Sequence, residues 1–364
     1  MNIGIPAERR PFEYRVGMSP AGVEILTQSN HTVYVEHDAG KAAGFSDIQY
    51  EHSGAKLVYS AREVFGRSEL ILKLARPLID EITWMNPGTI LMGFLQLASA
   101  REDRIQGLLQ NEITSIAYEQ IMLPDGSFPV LKPLSQIGGL LSSQIAAKFI
   151  QTNVGGKGIL LGGIVGVPPA EVVIIGAGNA GTNAAKSFLG LGAHVTVLDR
   201  SMKALELVAE KFPTVTTIPA TSRNLQKSCS YADVVVGAVM WPGTRAPIVI
   251  TREMVKKMKP RSLIIDLSID LGGCCETSRP TTHDQPTYVE EGVIHYCVPN
   301  IPALVARTAT HAFVNASVPY IQDVISNNVE SLISDFPSIE VAINTHKGIL
   351  RNVHQWHSDS GDIL

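Results

Sequence analysis

Cysteine is scarce in this chain. Cys229, Cys274, Cys275 and Cys297 are the only four among 364 residues. That is too few for a disulfide scaffold, and with no CxxC pair or finger-type Cys/His spacing a zinc ribbon is excluded as well. The expectation is free, buried or half-buried thiols in a reducing compartment. A basic excess is also missing: 30 Lys and Arg stand against 34 Asp and Glu, for a net charge of −4. That excludes a general nucleic-acid binder. The longest apolar stretch, residues 158–180, is broken by internal glycines, Pro168-Pro169 and Glu171, so it cannot be one spanning helix. The opening MNIGIPAERR has no apolar segment of the secretory kind. Cytoplasmic location with no membrane partner is therefore expected. The ten histidines show no metal-ligand spacing, and no internal repeat or low-complexity tract is present.

What is there points to a globular α/β protein. Hydrophobic residues make up 45% of the chain and charged residues 18%, enough for real cores, and the length suits two domains. Short β-type runs alternate with helical patterns. In the first part, Asn2–Ile5, Thr32–Glu36, Leu70–Leu74, Ile90–Phe94 and Ser115–Ala117 read as strands, with helices over Pro20–Gln28, Ala61–Phe65 and Asp103–Glu112. Such alternation predicts a largely parallel sheet. Leu134–Ile150 reads as a long amphipathic helix. The glycine-rich stretch 155–166 is the strongest local candidate for a domain boundary. Beyond it a second series begins, with strands at Val172–Ile175, Val195–Leu198, Val234–Val236 and Ser262–Asp266. A long helical pattern covers Ala303–Ile325, and mixed helix and loop fills the last forty residues.

The second series opens with a dinucleotide fingerprint. Val172-Val173-Ile174-Ile175 runs into Gly176-Ala177-Gly178-Asn179-Ala180-Gly181, a helix-like stretch follows, and a second strand ends at Asp199, 18 residues past Gly181. Gly176 permits a tight turn, Gly178 lets the backbone approach a pyrophosphate, and Gly181 packs helix on strand. The helix start, including Asn179 and Ala180, offers unpaired N–H groups to phosphate. Asp199 stands where a ribose-binding acid belongs. Its charge repels a 2′-phosphate, which favours NAD over NADP, although the neighbouring Arg200 can pair with such a phosphate.

Further stretches extend this across nearly the whole chain: Gly4-Ile5-Pro6-x-Glu8, Glu13-Tyr14-Arg15-Val16, Gly162-Gly163-x-x-Gly166-Val167-Pro168-Pro169-Ala170, Gly237-Ala238-Val239, Asp270-x-Gly272-Gly273-Cys274, Ser278-Arg279-Pro280 and Pro299-Asn300-Ile301-Pro302. On these motifs the chain resembles the family of alanine dehydrogenases and proton-translocating transhydrogenase α-subunits. The resemblance implies two Rossmann-like α/β domains with an interdomain cleft. A discontinuous substrate domain, 1–130 with 306–364, would hold an inserted NAD domain, 131–305. It also implies a small-molecule substrate and a homo-oligomer, hexamer or dimer. Arg15 falls at the family's carboxylate-binding arginine and Asp270 at its proton-handling aspartate. Ser135, Ala238, Val239 and Asn300 fall at positions near the cofactor.

The other half of the family pattern is altered. Ala75, in Lys73-Leu74-Ala75-Arg76-Pro77, stands where the resemblance implies a substrate lysine. Gln96, in Leu95-Gln96-Leu97-Ala98, stands where it implies a histidine. An amide hydrogen-bonds but does not exchange a proton near neutral pH. Arg76 can reach into the gap left by Ala75 to bind a second carboxylate, or be a solvated strand-end arginine. Trp241 is a candidate pocket wall or core residue. Leu271, Gln136 and Leu140 are further departures, and His295 and His311 are candidate replacement bases. The main expectation is an NAD-dependent oxidoreductase acting on a 2-amino or 2-keto acid other than alanine. The alternatives are a lyase or cyclase that reduces and reoxidises NAD within one turnover, a genuine alanine dehydrogenase, and a non-catalytic NAD-binding protein.

Overall fold

The structure is a computed structural model that describes residues 1–240 and 245–353. It divides into two compact units, one of Met1–Leu134 with the chain from Ala303 onward, the other of Ser135–Pro302. In chain order the strands are β1 (Asn2–Ile5), β2 (Thr32–Glu36), β3 (Lys56–Val58), β4 (Leu70–Ala75), β5 (Ile90–Phe94), β6 (Thr114–Ala117), β7 (Glu171–Ile175), β8 (His194–Asp199), β9 (Thr216–Pro219), β10 (Val234–Gly237), β11 (Leu263–Asp266), β12 (Thr287–Glu290), β13 (Val293–Tyr296), β14 (Ile343–His346) and β15 (Ile349–Leu350).

The first unit orders its sheet β3-β2-β1-β4-β5-β6, then β14-β15. The second orders its sheet β9-β8-β7-β10-β11-β13-β12. Each is a doubly wound α/β sheet whose order reverses beside its first strand, and the crevice at that reversal, outside the carboxyl ends of the strands, is where such sheets take ligands. The inner strands are apolar along their length because helices cover both faces: β4 reads LILKLA and β11 LIID, almost wholly buried. Helix starts carry their own signals. Ser19 accepts the Gly22 N–H ahead of Pro20, and Ser46 forms a reciprocal capping box with Gln49.

Three expectations need correction. The last part of the described chain is not only helix and loop: β14 pairs antiparallel with β6 and turns into β15. Its run, INTH, is too short to reveal a period. Its place is fixed at long range, where Ser115 and Thr345 share a 2.7 Å hydroxyl bond. The helix expected from Ala303 starts at Ala306, after a 3-10 turn over Ile301–Val305. The glycine-rich stretch 155–166 is no boundary. It lies inside the second unit, with Gly162 so close to the Leu191 carbonyl that a Cβ would sit 2.5 Å from it.

One charge sits within the otherwise apolar β4. Lys73 is 1% exposed and lies 3.1 Å from Glu8 and 3.3 Å from Glu81, both equally buried. Desolvation pulls its ammonium down, but the two carboxylates outweigh this and hold it above the ordinary lysine value. Glu8 also accepts the Leu74 N–H at 2.6 Å and the Ala75 N–H at 3.3 Å. The β4–β5 register shifts between Leu72 and Ala75, where those amides turn to Glu8. Lys73 is thus a structural cation. Replacing it with methionine strands two buried carboxylates and is expected to cost about 3–5 kcal/mol. Denaturant unfolding checks this, and a loss below about 1 kcal/mol would contradict it.

Candidate functional site

In the second unit, β7 runs into a turn that only glycine can make. Gly176 has φ +110°, and a Cβ there would meet the Ala238 carbonyl at 2.3 Å. A Cβ on Gly181 would lie 1.8 Å from the Gly176 carbonyl. Gly178 faces open space, with nothing within 4 Å of where its Cβ would stand. It is the N-cap of helix Asn179–Gly190 and has no side-chain cap. The first-turn N–H groups of Asn179, Ala180 and Gly181 therefore point past an open glycine, as an anion site requires. At the end of β8, Asp199 accepts the Ala177 N–H and the Ser201 N–H, each at 2.7 Å. That fixes the carboxylate beside the glycine turn. The open cradle, the uncapped helix and the placed acid fit a dinucleotide.

The other residues singled out in this unit lie on neighbouring elements. Helix Lys132–Phe149 packs on helix Asn179–Gly190 so tightly that a Cβ on Gly139 would meet the Ala180 carbonyl at 2.1 Å. Ser135 is one turn before Gly139 on the same face. Ala238 and Val239 directly follow β10. Asp270 is exposed, in the short turn Ile269–Leu271 after β11. Its carboxylate accepts the Asn300 N–H at 3.1 and 3.3 Å. Asn300 holds a left-handed φ of 58°.

In the first unit, candidate residues gather at the carboxyl ends of β1, β4, β5 and β6, which are sheet neighbours. Arg15 is 5% exposed and is gripped by Glu13 through two parallel 2.7 Å bonds. This fixes the plane of its guanidinium. Ala75 ends β4, and Arg76 follows, its carbonyl accepting from the Arg10 guanidinium at 3.3 Å. Gln96 follows β5 with φ +45°, strained for a residue with a Cβ. The turn is held by Glu119, just past β6, which accepts the Gln96 N–H at 2.6 Å and the Leu95 N–H at 3.2 Å. Sequence reasoning missed Glu119. Nothing local marks it, and only the β5–β6 pairing brings it under Gln96.

Trp241 lies outside the described residues. His295 is not a replacement base: it is fully buried, bonded to Thr277 and to the Val293 carbonyl, and stacked on Tyr288. His311 packs edge-on against Phe45. All four thiols are free and buried. Burial pushes Cys229 and Cys297 up to about 12, which makes them inert at neutral pH.

Two family models match the chain: "Alanine dehydrogenase/PNT, N-terminal domain" over residues 4–138 and "Alanine dehydrogenase/PNT, C-terminal domain" over residues 142–353. The chain belongs to the alanine dehydrogenase/PNT family. A protein named alanine dehydrogenase 2, from Staphylococcus aureus strain Mu50, is 43% identical over 97% of this chain and 95% of its own length. A solved structure of an L-alanine dehydrogenase superposes with a TM-score of 0.91 at 40% identity, covering 96% of each chain. A transhydrogenase structure from Sinorhizobium meliloti matches with a TM-score of 0.82 at 25% identity, over 96% of this chain and 98% of that one. As a member of the alanine dehydrogenase/PNT family, the chain is an NAD-dependent oxidoreductase of the amino-acid dehydrogenase type. Among the described residues, no helix is long and apolar enough to cross a membrane.

The Glu119 carboxyl carries a pH signature. Burial raises it to about 7, against the lowering effect of the backbone N–H groups of Gln96, Glu119 itself and Leu95, and of Arg76. The folded protein then holds a proton that the unfolded chain releases above the ordinary glutamate value of 4.5. Stability from this group therefore falls as pH rises from about 4.5 to about 7 and levels off above. Glu119→Gln cannot titrate. Melting curves at pH 5, 6, 7 and 8 should show the variant gaining on the parent up to pH 7 and then running parallel. Parallel behaviour throughout would remove Glu119 as the titrating group.

Proposed function

We propose that this protein is an alanine dehydrogenase, interconverting L-alanine and NAD with pyruvate, ammonia and NADH. The observation that carries the reading is full-length similarity, at 42–44% identity, to relatives named alanine dehydrogenase. It weighs against the expectation of a substrate other than alanine, which rested on Ala75 and Gln96 together with Trp241 and Leu271. The proposed roles divide between the units. In the first, Arg15, with its plane set by Glu13, binds the substrate carboxylate. Gln96 donates or accepts one hydrogen bond to substrate, and Arg76 adds positive charge beside Ala75. In the second, residues 176–181 and Asp199 bind the dinucleotide, with Ser135, Ala238, Val239 and Asn300 around it. Bound NAD supplies the hydride acceptor for the substrate α-carbon. Asp270, oriented by the Asn300 N–H, handles the proton and orients the amine. Asp199 favours NAD over NADP. A homo-oligomer in the cytoplasm belongs to the same proposal.

A second reading has its own support. With alanine at 75 and glutamine at 96, the ends of β4 and β5 lack the ammonium and imidazole that the family resemblance implies. A missing acid–base group costs roughly 10²- to 10⁴-fold in rate unless another group takes its place. A larger amino acid, or a lyase that reoxidises its own NADH, therefore stays as the competing reading. Absorbance at 340 nm separates them. The proposal expects NADH from L-alanine with NAD, little with NADP, and the reverse change with pyruvate, ammonia and NADH. Turnover of bulkier amino acids alone, or product without net NADH, would move the assignment to the second reading. NADH binding with no turnover of any substrate would leave a non-catalytic protein.

A further inference from the structure

The backbone pairing of β10 with β11 runs from Val234↔Leu263 to Gly237↔Asp266. It continues one step further, with the Leu267 N–H donating to the Gly237 carbonyl at 2.8 Å. Past that point the two chains part, and a side chain takes over. The Ser268 hydroxyl accepts the Val239 N–H at 3.0 Å and donates to the Val239 carbonyl at 2.7 Å. One hydroxyl thus satisfies both polar groups of one residue, as a strand neighbour does.

The backbone of Ser268 is engaged on the opposite side. Its carbonyl accepts the Leu271 and Gly273 N–H groups at 2.9 and 3.0 Å, closing the turn that carries Asp270. Its own N–H donates to Asp266 at 3.0 Å. Asp266 is fully buried and also takes the Cys274 and Cys275 N–H groups at 2.9 and 3.2 Å. Ser268 itself is 4% exposed. Its hydroxyl is taken up by the two bonds to Val239, so it acts on the backbone and not on a ligand.

We infer that Ser268 is a positioning residue, whose hydroxyl sets the spacing between the Val239 turn on the cofactor side and the Asp270 turn. The inference rests on the reading of Val239 as part of the dinucleotide site. Ser268→Ala removes both bonds to Val239 while leaving the backbone bonds of the Asp270 turn. Ser268→Thr keeps the hydroxyl. NADH affinity, followed by fluorescence, should weaken roughly tenfold in Ser268→Ala, the scale of one to two neutral hydrogen bonds. It should stay within about twofold of the parent in Ser268→Thr. The melting temperature, read by circular dichroism, separates positioning from general stability. If Ser268→Ala does not fold, Ser268→Cys, near-isosteric with a weak donor, should show the same loss of affinity. Unchanged NADH affinity in Ser268→Ala, with or without a lower melting temperature, would overturn the role. Equal weakening in the alanine and threonine variants would overturn it too, because packing rather than the hydroxyl would then be the cause. Failure of the parent itself to bind NADH would overturn the dinucleotide reading, and Ser268's role with it.

Discussion

The second unit depends on one close approach. Gly176 meets the Ala238 carbonyl and Gly181 meets the Gly176 carbonyl at distances that leave no room for a Cβ. Because the chain can turn that sharply, helix Asn179–Gly190 begins directly over the end of β7, and its first N–H groups face an open side. Any larger residue at either position would lift the helix off the sheet. Contacts spread outward from there. Asp199 ties β8 to the glycine turn, Gly139 seats the preceding helix on Ala180, and Ser268 joins the turn after β10 to the turn after β11.

The first unit uses buried charge where the second uses glycine. Glu8, Glu13 and Glu119 each hold a loop at the carboxyl end of the sheet. Glu8 takes the amides at the end of β4, Glu13 fixes Arg15, and Glu119 takes the amides after β5. Placing carboxyl groups in a dry environment costs free energy, and a cation or backbone N–H groups offset part of it, with burial still raising Glu8 and Glu119 above the ordinary glutamate value. The result is a set of loops with defined backbone geometry around two side chains, Ala75 and Gln96, that carry no charge.

Much of this was legible in the chain itself. The strands of both sheets stand out where apolar runs are bounded by glycine, proline or a capping residue, as at β4, β7 and β8. The glycine fingerprint with Asp199 was readable because all its parts are local. What was hidden depends on contacts distant in sequence. The run of β14 is four residues long, and only its partner β6 makes it a strand. Glu119 and Ser268 are ordinary residues in ordinary surroundings until strand pairing brings them to Gln96 and Val239. His295 attracted attention as a histidine near the motifs, yet its bonds to Thr277 and Val293 make it part of a core.

The central claim is that the ends of β4 and β5 form the substrate side of an alanine dehydrogenase whose lysine and histidine have been replaced. The most direct measurement is kcat/KM for L-alanine with NAD, in the parent and in the double variant Ala75→Lys, Gln96→His. A restored general acid–base group should raise it by roughly 10²- to 10⁴-fold, with NADH affinity unchanged. No change in kcat/KM in a folded, NADH-binding double variant would show that positions 75 and 96 lie outside the reacting site, and the account of this end of the molecule would be wrong.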